Sequence, residues 1–96
     1  MLTKNYIEST LKKLKPILVK KYAIKNIGFY GSYVKNLQTN SSDIDILLEL
    51  NKPLGWDFFT IQNELEDILK VKIDLATKKS LHPDLQSQIL KEVVFV

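Results

Sequence analysis

The chain has 96 residues, 45% hydrophobic and 26% charged, with no cysteine and one histidine. A chain of this size and balance is expected to form one soluble globular domain, 1–96, and the residue counts exclude a disulfide framework and any Cys- or His-rich metal centre. The net charge is +3 and all 14 basic side chains are lysines, which suits general attraction to anions better than base-specific reading of nucleic acid, where arginine is the usual side chain.

Ile7, Leu11, Leu14 and Leu18 recur at helical spacing and predict a first amphipathic helix, kinked or divided at Pro16, which has no N–H and crowds Lys12. Ile24–Tyr30 reads as a strand, Tyr33–Leu37 as a short helix and Thr39–Ser42 as a polar loop. Asp43–Leu50 is a second strand, Asn51–Gly55 a turn and Trp56–Leu69 a second amphipathic helix with Phe58, Ile61, Leu65, Ile68 and Leu69 inward. Val71–Ala76 is a third strand. Ser80 or His82 opens a last helix with Pro83 in its first turn and a stripe of Leu85, Ile89 and Val93. The order αβαβαβα predicts an α+β sandwich, a small mixed three-stranded sheet with helices packed against it. No apolar run reaches the roughly 20 residues of a membrane span. Met1–Ser9 lacks an apolar signal region, so the expected location is cytoplasmic.

Aspartate is disfavoured in strands, yet Asp43 and Asp45 stand among Ile44, Ile46, Leu47 and Leu48. Residues two apart share a face, so the two carboxylates project together, roughly 6–7 Å apart at Cα. Asp74 alternates in the same way with Ile73 and Leu75, and joins the pair if its strand lies alongside. Like charges so placed call for a cation, and hard oxygens suit Mg²⁺; three carboxylates can hold two ions about 4 Å apart, as in nucleotidyl transfer. On the residues alone, the Asp43–Asp45 pair reads equally well as the solvent side of a half-exposed sheet. Gly31-Ser32, between a strand and a short helix, is either a plain capped turn or a corner where backbone and hydroxyl approach a phosphate.

Gly31-Ser32, ten residues, then Asp43-Ile44-Asp45 resembles the signature of the polymerase-β-type nucleotidyltransferase superfamily. The wider strings Ile27–Ser32 and Ser42–Glu49, with Val71–Thr77 and Leu81–Val94, are similar to its smallest branch, the minimal nucleotidyltransferases, over nearly the whole chain. The resemblance implies that Gly31 and Ser32 bind the β- and γ-phosphates of ATP, and that Asp43, Asp45 and Asp74 hold Mg²⁺. It also implies that Asp74 helps take the acceptor's proton, with AMP transferred and pyrophosphate released. Where many relatives carry Arg and Gly in the short helix, this chain has Tyr33 or Lys35, and Asn36; Lys35 can meet a phosphate only as a point charge.

Members of that branch pair with a separately encoded HEPN-domain ribonuclease toxin, act as its antitoxin and can adenylylate a tyrosine on it. The expected partners are therefore a HEPN toxin and a nucleoside triphosphate, with no membrane and no direct nucleic-acid contact. The alternatives are a binding module that neutralises its partner by covering it, and a small-molecule nucleotidyltransferase whose missing wall a homo-oligomer supplies. The lysines at 12, 13, 15, 20, 21 and 25 read as a solvated face. His82 reads as a cap, Tyr33 as packing, and Trp56, Phe58 and Phe59 as anchors of their helix on the sheet. The tail Val93–Val96 is expected to tuck beneath the sheet.

Overall fold

Thr3 opens the first helix, its side-chain oxygen accepting the Tyr6 N–H at 3.1 Å. In the computed structural model, which describes residues 2–39 and 42–96, the elements in order are α1 (Lys4–Lys21), β1 (Ile24–Tyr30), α2 (Ser32–Lys35), β2 (Ile44–Leu50), α3 (Asp57–Leu69), β3 (Ile73–Thr77), a 3-10 turn over Lys78–Ser80, α4 (Pro83–Glu92) and β4 (Val94–Phe95). Of the expected loop Thr39–Ser42, residues 40 and 41 lie outside the described residues. Among those described, no helix is long and apolar enough to cross a membrane.

The sheet has four strands in the order β3-β2-β1-β4. β1 runs antiparallel to β2 and β4, while β2 and β3 are parallel. α3 supplies the crossover that parallel neighbours need. The first residues of the predicted strands, Asp43 and Val71, lie just outside β2 and β3. α2 begins and ends earlier than expected, at Ser32 and Lys35, because Asn36 turns left-handed (φ 59°) and its N–H closes on the Ser32 carbonyl.

Alternation along the strands sorts the two faces. Ile27, Phe29, Ile44, Ile46, Leu48, Ile73 and Leu75 form one continuous core with Ile7, Leu11 and Leu18 of α1 and Ile61, Leu65 and Leu69 of α3. The opposite parity carries Tyr30, Asp45, Leu47, Glu49 and Asp74, and there Leu47 is fully buried outside that core cluster. The outer edge of β3 is served by side chains. Gln62 donates to the Ile73 carbonyl at 3.0 Å, and the Ile73 N–H donates to Glu66 Oε2 at 3.0 Å. At the far end the Ser80 hydroxyl and the Thr77 backbone bond each other.

Several expectations are corrected. Pro16 neither divides nor ends α1, which runs continuously through it. Pro16 lies on the exposed side, where water can serve the Lys12 carbonyl, while Ile7, Leu11 and Leu18 hold both halves on the sheet. Trp56 and Phe59 do not anchor α3: they are 84% and 53% exposed, and their rings meet each other with centroids 5.9 Å apart. The inward stripe is Ile61, Leu65 and Leu69, with Phe58 at its margin and Ile68 turned out. His82 does cap α4, its Nδ1 accepting the Asp84 N–H at 3.3 Å, and Tyr33 is buried.

The tail makes the fourth strand, which was not expected. β4 lies edge-on to β1, pairing Gly28 with Phe95 and Phe29 with Val94, and the Val96 N–H reaches the Ile27 carbonyl at 3.0 Å. Lys15 Nζ donates to the Val96 carbonyl at 2.7 Å and to Asn26 Oδ1 at 3.2 Å. Gly28 makes this approach possible, since a Cβ there would stand 2.8 Å from the Val94 carbonyl oxygen and 2.9 Å from Val93 Cγ2. The backbone atom cannot rotate away. Gly28→Ala is therefore expected to cost about 1–3 kcal/mol, the range for overpacking, and to lower the melting temperature measured by circular dichroism. An unchanged melting temperature would show that β4 does not hold this position.

Candidate functional site

The β2–β3 register brings the acids together. Asp45 and Asp74 are direct partners on the parallel pair, and Tyr30 is the partner of Asp45 across the antiparallel pair with β1. Adjacent strands stand about 4.8 Å apart, so the two carboxylates emerge side by side. Asp43, exposed just before β2, adds its charge to the same neighbourhood.

The electrostatics record the crowding. Asp45 has its pKa pushed up to about 6, first by burial, then by the charge of Asp74 and a hydrogen bond shared with it, then by Asp43 and Glu92. Tyr30 is pushed up to about 12, again first by burial and then by Asp45, Asp74 and Glu92. It therefore keeps its proton at neutral pH and faces the carboxylates as a neutral phenol. Among the described residues, no lysine or histidine forms an ion pair with Asp43, Asp45 or Asp74.

Glu49 is a useful contrast because it shares the face of Asp45 four residues on. Asn26 donates to it at 3.0 Å and Lys78 at 3.3 Å. Its pKa is lowered, chiefly by the Asn26 hydrogen bond and with help from Lys78. Glu49 is a satisfied carboxylate; Asp45 is not.

Gly31 closes the corner. Its φ of +79° is one that side-chain-bearing residues rarely adopt, and a Cβ built there would collide with Asp45 Oδ2. The backbone thus passes directly over the carboxylate. Gly31 is also the N-cap of α2 and contributes no side-chain bond, so Ser32 is the first residue of the helix rather than its cap. Two cavities of about 350 and 360 Å³ lie elsewhere, the larger one bordered by Lys25, Lys52, Lys78 and Lys79; neither is lined by these acids. The corner is marked by charge and backbone conformation, not by concavity.

All five residues singled out in the sequence are accounted for: Asp45, Asp74 and Gly31 meet, Asp43 acts on Asp45 by its charge, and Ser32 follows Gly31 on α2. Two groups were missed. Tyr30 flanks the glycine, and its strand parity could have placed it on the acidic face. Glu92 arrives from the end of α4, 47 residues from Asp45, and no local pattern announces it. It pairs with Lys35 at 3.1 Å.

The profile described as "Nucleotidyltransferase domain" matches residues 11–96. A candidate protein adenylyltransferase of Methanocaldococcus jannaschii is 38% identical over 98 residues, covering 100% of both chains. Protein adenylyltransferase MntA of Thermococcus cleftensis is 36% identical over 97 residues, covering 100% of this chain and 98% of its own. Among solved structures, a candidate minimal nucleotidyltransferase superposes with a TM-score of 0.81 at 20% identity, covering 97% of this chain and 95% of its own. A toxin–antitoxin structure with AMP-PNP gives 0.72 at 24% identity, covering 98% and 72%. A tri-AMPylated Shewanella oneidensis HEPN toxin in complex with MNT antitoxin gives 0.71 at 20% identity, covering 97% and 71%. These superpositions establish the fold, strand count aside: four strands stand where three were expected.

The raised pKa of Asp45 has a consequence for stability. Folding lifts it from the ordinary 3.8 to about 6, so the folded state holds this proton more tightly than the unfolded one. Its contribution is fully favourable below about pH 4 and is lost as pH rises towards 6. Asp45→Asn is expected to melt at a higher temperature than the parent at pH 7.5, with the gap shrinking towards pH 4. A gap equal at both pH values, or of opposite sign at pH 7.5, would contradict the electrostatic account.

Proposed function

Because the chain belongs to the nucleotidyltransferase-domain family, we propose that it transfers AMP from ATP to the hydroxyl of a tyrosine on a partner HEPN-domain toxin, and that this neutralises the toxin. The observation that carries the reading is the pairing of Asp45 with Asp74 beneath the left-handed Gly31, with no cation of the described chain to balance them. A site built for stability would resemble Glu49, satisfied by Asn26 and Lys78. Like charges are tolerated at functional sites where a ligand completes them. Full-length relatives named as protein adenylyltransferases support the reaction, and the solved complexes with AMP-PNP and with a HEPN toxin support the donor and the partner class.

The donor set fits Mg²⁺ by its chemistry: three carboxylates, hard oxygens, and a charge that burial makes costly. Among the described residues, no three such groups stand close enough to hold an ion as they are, which is the spacing mutual repulsion enforces. Asp43, Asp45 and Asp74 would hold the metal, and when bound it supplies charge neutralisation on the triphosphate and acidifies the attacking hydroxyl.

The rest of the chemistry belongs to the chain. Gly31 and Ser32 receive the β- and γ-phosphates, the glycine because its backbone can approach them without a Cβ. The tyrosine oxygen attacks the α-phosphorus and forms the new O–P bond. The bond from that phosphorus to the bridging oxygen breaks, and pyrophosphate leaves. The hydroxyl proton passes to a carboxylate of the cluster, with Asp74 as the nearest open acceptor. Such catalysis is mostly positioning and charge placement. The catalytic and ligand roles of these five residues, the tyrosine target and the metal are all part of the proposal.

Incubation of the protein with a HEPN-domain toxin, α-labelled ATP and Mg²⁺ tests it. Label is expected on the toxin and is expected to fall by about 100-fold or more in Asp43→Asn, Asp45→Asn and Asp74→Asn, the scale of removing one preorganised charge-stabilising group. If the Asp43/Asp45 double variant still silences the toxin's ribonuclease activity, neutralisation is by occlusion and the catalytic reading is wrong. Independently, Mg²⁺ is expected to raise the melting temperature of the parent at pH 7.5 by ligand linkage and to leave Asp45→Asn unmoved. An equal rise in both would place the ion elsewhere.

A further inference from the structure

Lys35 Nζ and Glu92 Oε2 stand 3.1 Å apart, joining the last residue of α2 to the last residue of α4. The two partners differ in setting: the Glu92 side chain is 23% exposed and that of Lys35 52%. Glu92 also belongs to the acidic corner, since its charge is felt at both Asp45 and Tyr30. The pair therefore holds a cation beside the cluster without giving it to the cluster.

Lys35 is also tied to the glycine corner through the backbone. Its N–H donates to the Gly31 carbonyl at 3.1 Å, and it lies three residues after Ser32 on a single turn. Side chains three apart on a helix are neighbours. A flexible four-carbon stem lets the ammonium swing between any ligand held at Ser32 and the carboxylate of Glu92. A triphosphate carries more charge than one carboxylate and would compete well for it.

We propose that Glu92 is a latch on Lys35: it holds the ammonium in the nucleotide-free protein and surrenders it to the phosphates of an arriving nucleoside triphosphate. The latch rests on the nucleotidyltransferase reading. It makes Glu92 a positioning residue that sets nucleotide affinity, although it contributes no ligand atom of its own. A half-exposed ion pair is weak, and weakness is what lets the contact be exchanged. The exchange also frees Glu92, which no other ion pair among the described residues engages, so a negative charge is left at the margin of the loaded site. That charge opposes the nucleotide and favours its release.

The test is a double-mutant cycle on the binding of a fluorescent, non-hydrolysable ATP analogue, with melting temperatures recorded for every variant. Glu92→Gln is expected to tighten binding about three- to fivefold, the scale of an exposed pair. Lys35→Met is expected to weaken it, and Glu92→Gln placed on Lys35→Met is expected to change it by less than about twofold. The same gain on both backgrounds would overturn the latch, because removing any negative charge would then suffice. Weaker binding in Glu92→Gln together with a lower melting temperature would overturn it in favour of a structural strut. Parental binding without coupling sinks the latch alone. Failure of the parent to bind the analogue, in Mg²⁺ or in EDTA, sinks the nucleotidyltransferase reading and the latch with it.

Discussion

The register between β2 and β3 is the constraint on which the site depends. Asp45 faces Asp74 only because Ile44 and Ile46 are locked against Ile73 and Leu75 in the core beneath them. A slip of one residue would turn the isoleucines into solvent and the carboxylates into the core. The apolar face therefore holds two like charges at strand spacing against their repulsion. The same burial that stabilises the fold raises the cost of the charge on Asp45.

Two carboxylates on one strand face show how little sequence distance separates structure from chemistry. Glu49 has its amide and its ammonium, and helps tie the β1–β2 pair to the turn after β3. Asp45, four residues earlier, has burial and other acids. Stability and activity are thus separated along a single strand, with one end of the sheet settled and the other left in electrostatic debt. Proteins keep such unsettled groups where a ligand is to complete them.

Much of this was legible because strand parity is a strict code. The alternation in Ile44–Leu48 and Ile73–Leu75 put the three aspartates on one face before any coordinates were considered, and Gly31 stood where only a glycine tolerates the backbone. The failures have equally physical causes. Propensity predicted a break at Pro16, but tertiary burial on either side outweighed one lost hydrogen bond. Trp56 and Phe59 were assigned inward on hydrophobicity alone, though they fall off the 58-61-65-69 stripe. β4 is too short for any periodicity, and its cue was Gly28, whose meaning lies in the strand it admits. Glu92 could not be found locally, because only the path of α4 brings it beside Lys35.

The edge of β3 limits how this molecule can meet its neighbours. Gln62 and Glu66 occupy the backbone of Ile73, and Ser80 does the same for Thr77. Both ends of that border are thereby closed to a visiting strand. Ribbon-to-ribbon growth, the common route from a small sheet to a fibre, finds its template already taken there. Association on that side must proceed through side chains, which can be selective about what they accept.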